Sequence, residues 1–208
     1  MEDVLEVYKR PYDPKRPLVC MDEMPKQLLA DVREPLPAQS AHPVREDYEY
    51  KRQGVADLFM LFEPLLGKRY LQTTDQRRRV EWAQVMKYLA DAIHPEAEII
   101  VVVMDNLNTH TPAAFYQAYE PEEARRLIRR FEFHYTPKHG SWLNMAEIEL
   151  SALARQCLDR RLPDIETLTR EVLAWQDRRN SEVVKVHWQF TTADARIKLK
   201  HLYPRIQL

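Results

Sequence analysis

The chain has 208 residues, 45% of them apolar and 30% charged, and a formal net charge of −1. That length suffices for the core of one domain, and the composition excludes a disordered or fibrous polymer. No run approaches the roughly 18 consecutive apolar residues of a membrane span, and the acidic start MEDVLEV lacks the basic-then-apolar layout of a signal peptide, so a cytoplasmic protein without membrane contact is expected.

Leu18-Val19-Cys20-Met21 is a short apolar run that predicts a strand buried on both faces and ending at Asp22. The segment from Arg33 to Pro43 holds Pro35, Pro37 and Pro43 and reads as an exposed connection. Tyr48–Arg52, Val55–Phe62 and, after Gly67, Lys68–Thr74 then predict three strands of an antiparallel meander. From Asp75 as N-cap, Trp82, Val85, Met86, Leu89 and Ile93 recur at helical spacing until His94-Pro95. Ile99 to Met104, six apolar and mostly β-branched residues, is the strongest strand signal and ends at Asp105. Pro112–Arg130 reads as one or two short helices, Phe131–Tyr135 as a strand and Trp142–Leu158 as a helix. Two further helices are expected near Asp164, with Ile165, Leu168, Val172 and Trp175 on one face, and near Thr192. This order describes a single α/β domain over residues 1–208.

Cys20 and Cys157 sit in apolar runs without Cys-x-x-Cys spacing, as small buried hydrophobes do. Residues 1–120 carry 15 Lys and Arg against 20 Asp and Glu, whereas residues 121–208 carry 16 against 12, so a phosphate-facing surface is expected in the C-terminal part.

Either strand-terminal Asp taken alone fits a turn residue. Two such strands side by side would bring Asp22 and Asp105 to one sheet edge, where α/β ligand sites form. A third carboxylate comes from the helix beginning at Trp142. At about 100° per residue, Leu143, Glu147, Leu150, Ala154, Cys157 and Leu158 share one side, which places Glu147 on the inward stripe and Glu149 in solvent. An inward carboxylate needs a cation, either a basic side chain or a metal. Three converging carboxylates suit hard, oxygen-preferring Mg²⁺ or Mn²⁺. His110, His134 and His139 do not form a His-x-x-x-His zinc pair, and neither a Gly-x-x-x-x-Gly-Lys loop nor a Gly-x-Ser-x-Gly elbow occurs.

The segments VCMDE (19–23), VVMDNLNTH (102–110) and HYTPKHGSWLNMAE (134–147) resemble the three catalytic blocks of mariner-like bacterial insertion-sequence transposases, and FTTADARIKLKHLYP (190–204) resembles their C-terminal end. The resemblance implies an RNase H-like fold: a central mixed sheet of about five strands flanked by helices, with a helical C-terminus. It also implies Asp22, Asp105 and Glu147 as catalytic residues holding two Mg²⁺ or Mn²⁺ ions. The implied reaction is hydrolysis at transposon ends and strand transfer into target DNA in a bacterial cytoplasm, with a homodimer pairing the ends. Forty-one residues separate Asp105 from Glu147, somewhat more than is usual in the superfamily. Such transposases begin with helix-turn-helix domains that read the element's ends, and no such reader is expected within these 208 residues. A non-catalytic module derived from a transposase and an RNase H-like nuclease that cleaves without joining are the alternatives.

Within the matching blocks, Asn106 and His110 are candidates for DNA contact or for ordering the metal site, with turn capping as the plainer reading. Lys138, His139, Trp142 and Asn144 form a basic, aromatic and amide cluster suited to phosphate contact and base stacking. Trp82, Trp175 and Trp188 read as core. Arg77-Arg78-Arg79 at a helix start is a solvated run or a phosphate contact.

Overall fold

The computed structural model describes residues 1–33 and 48–203. Five strands form one mixed sheet: β1 (Leu18–Asp31), β2 (Tyr50–Glu63), β3 (Lys68–Thr74), β4 (Ile100–Met104) and β5 (Phe131–Tyr135), in the order β3-β2-β1-β4-β5. The first three pair antiparallel, and β4 joins β1 on one side and β5 on the other in parallel. The helices are α1 (Glu2–Val7), α2 (Arg79–Tyr88), α3 (Ala113–Ala118), α4 (Pro121–Ile128), α5 (Met145–Gln156), α6 (Ile165–Ser181) and α7 (Thr192–Lys198).

Alternation along the strands divides the interior in two. Cys20, Leu58, Met60, Phe62, Val101 and Val103 face a core closed by α1, α5, α6 and α7. Their neighbours Val19, Met21, Phe59, Leu61, Val102 and Met104 face a second core closed by α2, α3 and α4. A sheet covered on both faces explains why β4 is apolar at every position. Trp82 and Trp175 are buried, and Trp188 packs half-buried on the first core. Cys20 and Cys157 are both buried and free. Among the described residues no helix is long and apolar enough to cross a membrane.

Several boundaries differ from those the sequence suggests. The expected strands Tyr48–Arg52 and Val55–Phe62 are one strand, β2, because the ladder absorbs an irregularity instead of ending. Gln27 pairs with Val55 and Leu29 with Arg52, so Gln53 and Gly54 stand opposite Leu28, and Gly54 takes φ +104° in this bulge. Likewise β1 does not end at Asp22 but runs on to Asp31 along β2. Helix α2 starts at Arg79, not after Asp75: the Glu81 carboxylate accepts the Arg78 N–H at 3.1 Å and defines the first turn there. At its other end α2 widens into a π-helical turn, Leu89–Ile93, before His94-Pro95. Beyond Arg33, the proline-bearing connection expected as far as Pro43 lies outside the described residues.

Candidate active site

Asp22 lies where two strand neighbours part. The parallel pairing of β1 with β4 stops at Cys20 and Val103, whereas its antiparallel pairing with β2 continues through Asp22 and Met60. Asp105 follows the last residue of β4. Both carboxylates therefore stand in the gap that opens at the carboxyl ends of parallel strands, the usual ligand position in an α/β sheet.

Glu147 reaches the same place from the first turn of α5. A 3₁₀ turn, Ser141–Leu143, precedes the N-cap Asn144, which is 1% exposed. Asn144 Oδ1 accepts the Ala146 N–H at 3.1 Å, and its Nδ2 donates to the Met21 carbonyl at 2.8 Å. One amide thus starts the helix and ties it to β1 one residue before Asp22. Asp22, Asp105 and Glu147 line a common cavity of about 380 Å³, together with Glu23, Ser141 and Ser151. A larger hollow, about 730 Å³, is lined only by charged residues of α4 and its flanks and holds none of these carboxylates.

Glu147 does not sit on the buried stripe expected of it. Its side chain is exposed into the cavity, and Glu149 is the buried one, at 1% exposure. Arg179 pairs bidentately with Glu149 at 3.0 and 2.9 Å, and Arg69, fully buried over the Phe62 ring, approaches it at 3.0 Å. The expected stripe was phased from Leu143, but Leu143 belongs to the 3₁₀ turn, and the rotation of α5 starts afresh at Asn144. The inward arc is then Met145, Ala146, Glu149, Leu150, Ala152 and Leu153.

His110, a candidate from sequence for DNA contact or for ordering the metal site, is fully buried. Its Nδ1 stands 2.6 Å from Asp105 Oδ1 and its Nε2 2.6 Å from Glu23 Oε2, while its ring stacks on Trp82 at 5.8 Å. Burial pulls the imidazole pKa down, but the hydrogen bonds to Asp105 and Glu23 outweigh this and hold it at about 9. Asn144, also a candidate from sequence for DNA contact, is buried with both ends of its amide engaged inside the protein. Asn106, Lys138, His139 and Trp142 are exposed. Lys138 and Asn106 line a second hollow that shares Asp105 and Ser141 with the carboxylate cavity. Trp142 stacks on Trp188 at 6.2 Å, leaving 43% of its surface free.

The sequence reading missed Glu23. Its only local signal is adjacency to Asp22 after an apolar run; its side chain is 3% exposed, with Arg77 Nη1 3.9 Å away. Asp22 itself is pushed up to about 7, first by burial and then by the negative charges of Asp105, Glu23 and Glu147, against a bond from the Glu23 N–H. No Lys or Arg among the described residues lines the carboxylate cavity. Among the described residues no group of three or more His, Cys, Asp or Glu side chains stands close enough together to hold a metal ion. In donor chemistry the lining fits a hard divalent cation: the carboxylates of Asp22, Glu23, Asp105 and Glu147 face one cavity.

A family model described as DDE superfamily endonuclease matches residues 17–169. No curated protein matches the chain. Among solved structures it resembles the Mos1 transposase paired-end complex with left transposon end, at 16% identity and a TM-score of 0.56, over 85% of this chain and 53% of that one. The Mos1 strand transfer complex matches at 16% identity and a TM-score of 0.57, over 86% of this chain and 55% of that one. The likeness is one of fold, and it is the RNase H-like fold. The chain spans about half the length of the transposase chains it matches.

Proposed function

The chain belongs to the DDE superfamily endonuclease family, and from that premise we propose that it is the catalytic domain of a DNA transposase, cutting phosphodiester bonds at transposon ends and joining the freed ends to target DNA. The observation that carries this reading is that Asp22, Asp105 and Glu147 line one cavity that, among the described residues, no Lys or Arg lines. The Mos1 complexes are transposase structures whose printed descriptions name a transposon end and strand transfer, which supports DNA as the partner here.

Asp22, Asp105 and Glu147 would hold two Mg²⁺ or Mn²⁺ ions. When bound, such ions activate the attacking oxygen and stabilise the leaving one. The chain's own contribution is placement. The divergence of β1 from β4 opens the gap for the scissile phosphate, Asn144 fixes α5 so that Glu147 faces the two aspartates, and the buried His110 occupies one oxygen of Asp105. In this reading exposed Lys138 and Asn106, in the hollow that shares Asp105 and Ser141 with the cavity, would meet backbone phosphates, and exposed Trp142 and His139 would meet unstacked bases. We read residues 1–208 as a single catalytic domain that takes its end-recognition from a helix-turn-helix reader outside it, acts as a homodimer because two ends must be paired, and works in the bacterial cytoplasm.

The test is a joining assay with Mn²⁺, supercoiled plasmid and a labelled oligonucleotide with a free 3′-hydroxyl, supplied with an end-binding domain. Wild type is expected to nick the plasmid and join the label, and Asp105→Asn to do neither. Equal products from both proteins would overturn the reading, and nicking without joining would make the chain a nuclease.

A further inference from the structure

The cluster around His110 joins two parts of the site that no backbone pairing connects. Beyond Cys20 and Val103, β1 and β4 are no longer paired, and Asp105 sits on the loop after β4. Across that gap the imidazole spans from Asp105 Oδ1 to Glu23 Oε2, at 2.6 Å on each side. Glu23 lies on β1 directly after Asp22 and is itself 97% sealed from water, at 3% side-chain exposure. The ring is held in turn by Trp82 stacked against it and by the Tyr135 hydroxyl, which donates to the His110 carbonyl at 3.1 Å. Each ring nitrogen faces a carboxylate oxygen at hydrogen-bond distance, so the ring is held at both ends.

We propose that His110 and Glu23 form a positioning clamp: Glu23 fixes the His110 ring, and His110 fixes the Asp105 carboxylate against β1 with Oδ1 engaged and Oδ2 left for a bound cation. The proposal rests on the reading of Asp105 as a ligand. The effect of the clamp passes through Asp105, the carboxylate that His110 contacts. A hydrogen-bonded partner that orients a ligating carboxylate typically changes metal affinity or activity by about 10–100-fold.

Loss of the clamp should weaken binding of a cation, because Asp105 must then be ordered when the cation binds. The experiment is Mn²⁺ titration by electron paramagnetic resonance on the full chain without DNA, for wild type, His110→Gln, Glu23→Gln, the double variant and Asp105→Asn. Melting curves and histidine ¹⁵N spectra run alongside. The clamp requires His110→Gln to bind Mn²⁺ about tenfold or more weakly, and the double variant to be little worse than either single one, as members of one unit are. Glu23→Gln should shift the His110 Nε2 signal, the nitrogen that faces Glu23. Should His110→Gln fold poorly, Glu23→Gln and the spectra carry the test. Folded His110→Gln binding Mn²⁺ as tightly as wild type or tighter overturns the clamp. Asp105→Asn binding like wild type instead overturns the ligand reading, so the two failures are distinguishable.

Discussion

The side-chain amide of Asn144 donates to the carbonyl of Met21 over 2.8 Å, joining the start of α5 to the strand residue just before Asp22. Because the same side chain also caps the helix, one residue sets where Glu147 stands relative to Asp22. Asn144→Ala is expected to cost about 2 kcal/mol, from a lost cap and a buried carbonyl left without its donor, read as a lower denaturation midpoint. Asn144→Ser keeps a capping oxygen and should recover part of that stability. It cannot reach Met21, so DNA cleavage should stay impaired in both variants.

Glu147 and Glu149, two residues apart, should respond in opposite ways. Glu149 neutralises two arginines inside the protein, and Glu149→Ala strands them there. The expected loss is about 3–5 kcal/mol of stability. Glu147→Gln, at an exposed position, should stay within about 0.5 kcal/mol of wild type while abolishing cleavage. Denaturation and nicking assays on both variants check the pair together.

This contrast marks how far local pattern carries. The β4 run was legible because a strand covered on both faces must be apolar at each position, and Asp105 followed from its end. The mostly half-buried stretch from Asp22 to Asp31, which mixes polar and apolar residues, carries no such signature; it is a strand because β2 pairs with it along its length. The phase of α5 was misread because a 3₁₀ turn resets the helical rotation between Leu143 and Met145. The contact of His110 with Glu23 joins residues 87 positions apart, and no spacing rule reaches across that separation. Asp22, Asp105 and Glu147 were nonetheless selected and line one cavity, Glu147 by a stripe that does not exist and by family resemblance.

The metal-free protein should lose stability as pH rises. Between the ordinary carboxylate value of 3.8 and about 7, folded Asp22 keeps a proton that the unfolded chain has released, so folding weakens across that window. Between 6.5 and about 9 the same holds for His110, whose stabilising bonds are fully present below 6.5 and are lost as pH passes its folded value. Glu123, held at about 2 by its bonds from Arg126 and Lys87, acts in the other direction, contributing stability above its ordinary value of 4.5 that is lost on acidification. Melting temperatures in a chelator from pH 5 to 9 should fall, with Asp22→Asn flattening the lower part of the curve. Mn²⁺ binding should tighten as pH rises through about 7, since Asp22 must give up its proton.

Trp142 and Lys138 separate two kinds of DNA contact. With 43% of its surface free, Trp142 offers a face for one base, and Trp142→Ala is expected to weaken single-strand binding by about 1–3 kcal/mol with little change in melting temperature. Lys138→Ala should weaken binding regardless of sequence and lower the salt dependence by about one counterion. Fluorescence anisotropy at several salt concentrations reads both.

Whether Asp22, Asp105 and Glu147 together hold the catalytic cations is tested most directly by diffraction from crystals soaked in Mn²⁺, recorded at the manganese absorption edge. Anomalous peaks are expected inside the cavity within coordination distance of all three carboxylates, and absent from Asp105→Asn crystals. Manganese bound elsewhere while this cavity stays empty, or an unchanged peak in Asp105→Asn, would contradict the assignment.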